Sequence, residues 1–165
     1  MEIPIYSNIR EDLELIETFL WDPEKGAPDI DLHLERMCKS AANFKFKFEI
    51  IKIKEKILEI NSQSRLRCRL TLRFDGKINL TTAPLSPNSK TWVLGLSDSI
   101  LSSSDPWLLH KSSNRVLYDA ERANLPDGID EFIYLNERNE VCEGTITNIF
   151  VKIAGHWLTP PLSSG

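Results

Sequence analysis

The sequence predicts an α+β protein in two parts, on three observations. Helical periodicity follows Asp29 and returns after Ser112. A two-residue alternation runs through "RLRCRLTLR", and short strand-like segments follow Asp130. A stretch of small polar residues, "SDSILSSSDP", stands between the two parts. The chain has 165 residues and is 41% hydrophobic, enough to build a core in one domain or two small ones. The parts are read as residues 1–100, an N-terminal α+β domain, and residues 101–165, the start of a second domain.

Each element has its own signal. "LELIETFLW" (Leu13–Trp21) is short, apolar and bounded by "DPEKGAPD". That reads as a buried strand, with a short helix as the alternative. In "DIDLHLERMCKSAANF", Leu34, Met37, Cys38 and Ala41 recur at i, i+3, i+4 and i+7, which predicts an amphipathic helix capped near Asp29 or Asp31. Ile50, Ile53, Ile57 and Ile60 share one helical face, and the intervening Glu and Lys favour a second helix. Then Leu66, Cys68, Leu70, Leu72 and Phe74 alternate with Arg65, Arg67, Arg69, Thr71 and Arg73, and Asp75-Gly76 supplies a turn. This is a β-hairpin with one apolar and one cationic face. "TWVLGL" reads as a further strand, and Ser97–Pro106 as the connector between domains. Ser112 or Ser113 is expected to cap a helix running to about Asn124, with Val116, Ala120 and Ala123 as its apolar stripe. "DEFIYLN", "EVCEG", "NIFVKI" and "HWLTP" read as short strands separated by the turns "ERN" and "AG".

Composition excludes several function classes. The net charge of −4 argues against a dedicated nucleic-acid binder, and "RLRCRLTLR" has no interleaved aromatics for stacking on bases. No apolar run approaches the roughly 20 residues of a membrane span. The start, "MEIPIYSNIREDLE", lacks a signal-peptide pattern, so a cytoplasmic protein is expected. Three widely spaced cysteines without CxxC give no disulfide framework and no zinc site. His33, His110 and His156 share no ligand spacing, so no metal is expected.

Three places carry chemistry. Lys111 follows the apolar "WLL" and precedes a helix start. It is either a surface lysine or an amine made nucleophilic by its surroundings. Glu143 precedes Gly144 and a Thr/Thr/Asn cluster. This is either an ordinary polar loop or a carboxylate where the backbone can approach a ligand closely. Arg36 is either part of a solvated helix face with Glu35 or a fork suited to phosphate.

Taken in order, "HLERMCKSA", "HKSSNRxxYDAxRAxxPDGxDExxYLNERxEVxEGTxTNxF" and "LTPPLSSG" resemble the class IV pyridoxal-phosphate enzymes. That family includes D-amino-acid and branched-chain aminotransferases and aminodeoxychorismate lyase. The resemblance is most specific to the lyase, including its form fused to aminodeoxychorismate synthase component I. It implies the two-part D-amino-acid aminotransferase-like fold and pyridoxal 5'-phosphate as cofactor. By the same resemblance, Lys111 is the lysine that joins the cofactor covalently, Glu143 pairs with its pyridine nitrogen and Arg36 holds its phosphate. Thr147 and Asn148 line the cofactor, and Arg69 is near where some members meet a substrate carboxylate.

The implied activity is release of pyruvate from 4-amino-4-deoxychorismate to give 4-aminobenzoate. Transamination, and a catalytically incompetent dimeric or binding protein, are the alternatives. A small amino substrate, a homodimer and cooperation with an aminodeoxychorismate synthase are expected, with neither nucleic acid nor membrane as partner. In the family the motif at "TPPLSSG" runs on for several dozen residues, so the second domain is expected to be incomplete relative to the family.

Overall fold

A computed structural model describes residues 10, 12–85 and 90–165. These form two compact units, and one short segment, His110–Asn114, returns to the first unit after the chain has entered the second.

In the first unit, Glu14–Trp21 forms β1, an extended run whose Leu15, Ile16 and Phe19 are buried. Its partner β2 (Leu66–Arg73) is antiparallel, with Leu15 opposite Leu72 and Phe19 opposite Cys68. β2 continues into β3 (Ile78–Pro84) through the expected Asp75-Gly76 turn, so the sheet order is β1–β2–β3. Gly76 takes φ 87°, a left-handed conformation that costs glycine least. Side chains alternate across a strand, so Cys68, Leu70 and Leu72 enter the core while Arg67, Arg69 and Arg73 stay exposed. Thr71 is the exception on the cationic face, being buried, and Phe74 falls beyond the strand and is exposed.

The apolar face is covered by α1 (Ile30–Phe44), which packs on β1, while α2 (Ile50–Leu58) packs against β3. The stripe of α1 is Leu34, Met37, Ala41 and Phe44, with Ser40 beside them. Cys38 is exposed, because it lies one position beyond the core-facing stripe. Asp29 does occupy the N-cap position, but at φ 62° its side chain makes no cap hydrogen bond. The helix ends where Lys45 turns left-handed (φ 59°) and the Phe46 N–H donates back to the Ala41 carbonyl at 2.8 Å. In α2, Ile53 and Ile57 are buried whereas Ile50, in the first turn, is exposed. Burying such a side chain contributes about 1.5–3 kcal/mol, so the shared core of α1, α2 and the sheet dominates this unit's stability.

The second unit begins with β4 (Leu94–Leu101), parallel to β5 (Glu131–Asn136), which is in turn antiparallel to β6 (Val141–Gly144). The stretch expected to be a connector is therefore strand as far as Leu101. Its serines are used rather than loose: Ser97 and Ser99 donate to the Glu121 carboxylate at 2.7 and 2.6 Å. α3 (Val116–Ala123) packs on β5. Val116, Ala120 and Ala123 are exposed, and the inward residues are Tyr118, Glu121 and Arg122. Nor do the serines cap α3, whose N-cap residue is Arg115. Ser113 is bonded instead to β1, donating from its N–H to the Glu14 carbonyl (2.8 Å) and accepting the Glu14 N–H on its hydroxyl (2.9 Å). A last hairpin joins β7 (Val151–Ile153) and β8 (His156–Leu158). The second core is small: Leu101, Tyr134 and Cys142, with Leu108 and Tyr118 against them.

Candidate active site

β1 positions the site residues of the first unit. Glu17 is a carboxylate in the middle of an apolar strand and is 1% exposed. Burying such a charge is costly unless it is paired. Two residues of α1 supply the pairing. Arg36 donates from Nε (2.8 Å) and Nη2 (2.5 Å), and His33 Nδ1 lies 2.7 Å from the carboxylate. Burial pushes the Glu17 carboxyl up, but the bonds from His33 and Arg36 outweigh it and hold the group below the usual carboxylate range. The fork fixes the direction of the guanidinium of Arg36, whose side chain remains 45% exposed.

The adjacent β1 residue meets Lys111: the Ile16 N–H donates to the Lys111 carbonyl at 2.8 Å. Leu15 and Ser112 form the neighbouring antiparallel bridge. His110 is anchored on α1, with its Nδ1 2.9 Å from the Ser40 hydroxyl and its ring 4.6 Å from that of Phe44. Burial lowers the His110 pKa, which favours the neutral ring. His110 faces α1 and Ser112 lies opposite the core residue Leu15, so alternation along this segment sets Lys111 beside Ile16 on the other face of the sheet. Ile16, Thr71 and Asn79 form one row on that face, and Thr18, Arg69 and Thr81 form the next. The structure thus brings Lys111 and Arg69 to one sheet face, while Arg36 comes to the same strand from the helix side. Lys111 itself is half-buried.

The second unit holds Glu143, Thr147 and Asn148 at the end of β6. Glu143 is half-buried and accepts a hydrogen bond from the Tyr118 hydroxyl at 2.7 Å. The Tyr118 ring packs edge-on against Tyr134 (centroids 5.2 Å apart), and the Arg115 guanidinium lies 5.0 Å from its centre. Burial, and then the Glu143 charge, push the Tyr118 phenol well above its ordinary pKa, so it remains a donor. Past Glu143 the chain turns sharply. The Gly144 N–H donates to the Thr147 carbonyl at 2.9 Å, and a Cβ at Gly144 would stand 2.3 Å from the Thr147 hydroxyl. That hydroxyl donates to Glu131, which makes Thr147 a turn-forming residue, while Asn148 is exposed.

Reading the motifs one by one misses Glu17 and Glu131. The available signal is a carboxylate within an apolar run, as in "LELIETFLW" and "DEFIYLN". Such a group, when buried, needs hydrogen-bond donors around it, so its presence points to donors brought in from elsewhere in the chain.

Residues 14–165 match the profile of the family described as amino-transferase class IV. The chain belongs to that family. Class IV aminotransferases are pyridoxal-phosphate-dependent enzymes, and the fold agrees with theirs. Over 163 residues the chain is 28% identical to a candidate aminodeoxychorismate lyase of Schizosaccharomyces pombe, covering 94% of this chain and 69% of that protein. A crystal structure of a candidate amino-acid aminotransferase from Mesorhizobium loti superposes with a TM-score of 0.83 at 36% identity, over 93% of this chain and 77% of that one. A candidate 4-amino-4-deoxychorismate lyase from Legionella pneumophila shares the fold (TM-score 0.70, 21% identity), over 92% of this chain and 63% of that one.

The side chains that the resemblance assigns to the cofactor are, each taken by itself, chemically suited to pyridoxal phosphate. Lys111 offers a primary amine, Arg36 a guanidinium anchored by the buried Glu17 carboxylate, and Glu143 a carboxylate held by the Tyr118 phenol. Among the described residues, no cluster of three or more His, Cys, Asp or Glu could hold a metal ion, and no helix is long and apolar enough to cross a membrane.

Proposed function

We propose that the chain is an aminodeoxychorismate lyase, converting 4-amino-4-deoxychorismate into 4-aminobenzoate and pyruvate, a step toward folate precursors. The observation that carries this reading is the sheet face on which Lys111 stands, which also bears the exposed Arg67, Arg69 and Arg73. The substrate has one amine and two carboxylates, and an aldehyde-reactive lysine that can hold the cofactor beside a bank of guanidinium groups complements it. The name of the fission-yeast relative supports the same reading.

When bound, pyridoxal phosphate supplies an electron sink for the substrate's amine-bearing carbon. Arg36, anchored by Glu17, holds the phosphate. Glu143 places a negative charge where the protonated ring nitrogen needs one, because an opposite charge favours the charged form. Lys111 Nζ takes the proton from the carbon that bears the substrate amine. Loss of that proton lets the carbon–oxygen bond to the enolpyruvyl group break. The departing enolpyruvate gains a proton and becomes pyruvate, and the ring becomes aromatic. Arg69 orients a substrate carboxylate over the Lys111 face. An upstream aminodeoxychorismate synthase as the source of substrate, and a homodimeric assembly, belong to the same proposal.

A transaminase is the second reading, favoured by the 36% identity to the Mesorhizobium loti protein. There Lys111 would return the proton to the cofactor side. The two separate in one assay. Enzyme supplied with 4-amino-4-deoxychorismate should release pyruvate, detected by coupled reduction to lactate. Amino transfer to a keto acid without pyruvate release would favour the transaminase.

A further inference from the structure

Outside the residues assigned so far, the most heavily bonded buried group of the second unit is Glu131, the first residue of β5, at 1% exposure. One carboxylate oxygen accepts the Thr145 N–H (3.1 Å), the Thr145 hydroxyl and Arg122 Nη1 (3.3 Å), as well as its neighbour's Phe132 N–H (3.0 Å). The other accepts the Ile146 N–H (3.3 Å) and the Thr147 hydroxyl (3.0 Å). From the opposite end, Arg115 donates to the Thr145 carbonyl, so both polar ends of that peptide are gripped. Nearly every donor of the turn that follows Glu143 therefore converges on one carboxylate from another strand. Gly144 is what lets it approach: a Cβ there would stand 3.1 Å from the Glu131 carboxyl carbon.

A stability role alone would be served by an apolar residue at this buried strand position, at lower desolvation cost. The carboxylate instead fixes two hydroxyls and two amides of a four-residue turn that has Glu143 at one end and Asn148 just beyond the other. We propose that Glu131 is the positioning residue of the cofactor turn, setting the direction in which Glu143 and Asn148 meet the cofactor. The inference rests on the reading of Glu143 as the partner of the pyridine nitrogen.

The test titrates the full chain with pyridoxal phosphate, following bound-cofactor absorbance and circular dichroism in the cofactor band, alongside thermal unfolding. Glu131→Gln keeps the volume but turns one acceptor oxygen into a donor, and either oxygen faces an N–H and a hydroxyl of the turn. It should raise the dissociation constant about tenfold or more, as loss of an orienting outer partner does elsewhere, and alter the cofactor dichroism of the protein that still binds. Thr147→Val removes one donor with little change of volume and should shift the same dichroism in the same direction. It carries the test if Glu131→Gln does not fold. A purely structural Glu131 would lower the melting temperature while leaving affinity and dichroism of the folded protein at wild-type values, and that result overturns the inference. Wild-type protein that binds no pyridoxal phosphate would instead overturn the cofactor reading, and this inference with it.

Discussion

Arg36 forks onto the buried carboxylate of Glu17 through Nε and Nη2, at 2.8 and 2.5 Å. Next to Glu17 on the same strand, the Ile16 N–H holds the Lys111 carbonyl at 2.8 Å. Two consecutive residues of β1 therefore carry both the phosphate-binding candidate and the amine. One arrives through a helix laid over the sheet, the other through a segment paired along the strand.

Glu17→Gln tests this arrangement. The neutral amide has one acceptor oxygen where Arg36 now donates to two, and the loss of a charge-assisted pair should cost about 1.5–3 kcal/mol, reduced because Arg36 is partly solvated. Urea unfolding of the two proteins measures the difference. Cofactor affinity should fall together with stability, because the guanidinium loses its anchor.

The same pair sets a pH dependence. Glu17 is held below the ordinary carboxylate range in the folded state. Its contribution is therefore fully present above the unfolded value of 4.5 and disappears as pH falls through the lower folded value. A stability–pH profile should drop on the acid side, and Glu17→Gln should flatten that drop. An unchanged slope in the variant would count against the pairing.

Gly144→Ala is expected to be poorly tolerated. Its new methyl would meet the Thr147 hydroxyl at 2.3 Å and the Glu131 carboxyl carbon at 3.1 Å, so the turn must shift. Overpacking of this kind costs about 1–3 kcal/mol. Thermal unfolding and cofactor titration should both register the loss.

Arg69→Ala should leave the fold intact, since Arg69 is exposed. On the lyase reading it should raise KM for 4-amino-4-deoxychorismate more than it lowers kcat. The same substitution at Arg65, which is engaged with Asp22 at 2.8 Å, should leave KM close to wild type. Equal effects at both positions would point to general charge rather than a directed contact.

The elements readable in the sequence were those whose signal is local. The alternation of Leu66 to Arg73 and the periodicity of Leu34, Met37 and Ala41 reappear as β2 and α1 because one face of each is buried. Long-range pairing defeated the rest. Ser97–Leu101 looks like linker by composition, yet it is strand because β5 and Glu121 satisfy its backbone and hydroxyls. Ser112 and Ser113 look like helix caps, but pairing with β1, nearly a hundred positions earlier in the chain, takes them instead. Lys111, Glu143 and Arg36 are singled out by their motifs as candidates, whereas Glu17 and Glu131 emerge only when the partners of each buried carboxylate are counted.

Lys111 is the residue proposed to bond pyridoxal phosphate in this chain. Incubation with the cofactor, borohydride reduction and peptide mass analysis tests that proposal directly. A phosphopyridoxyl group is expected on the peptide containing Lys111, with none at that position in a folded Lys111→Ala protein. A wild-type chain that stays unlabelled, or one labelled only on other lysines, would contradict it.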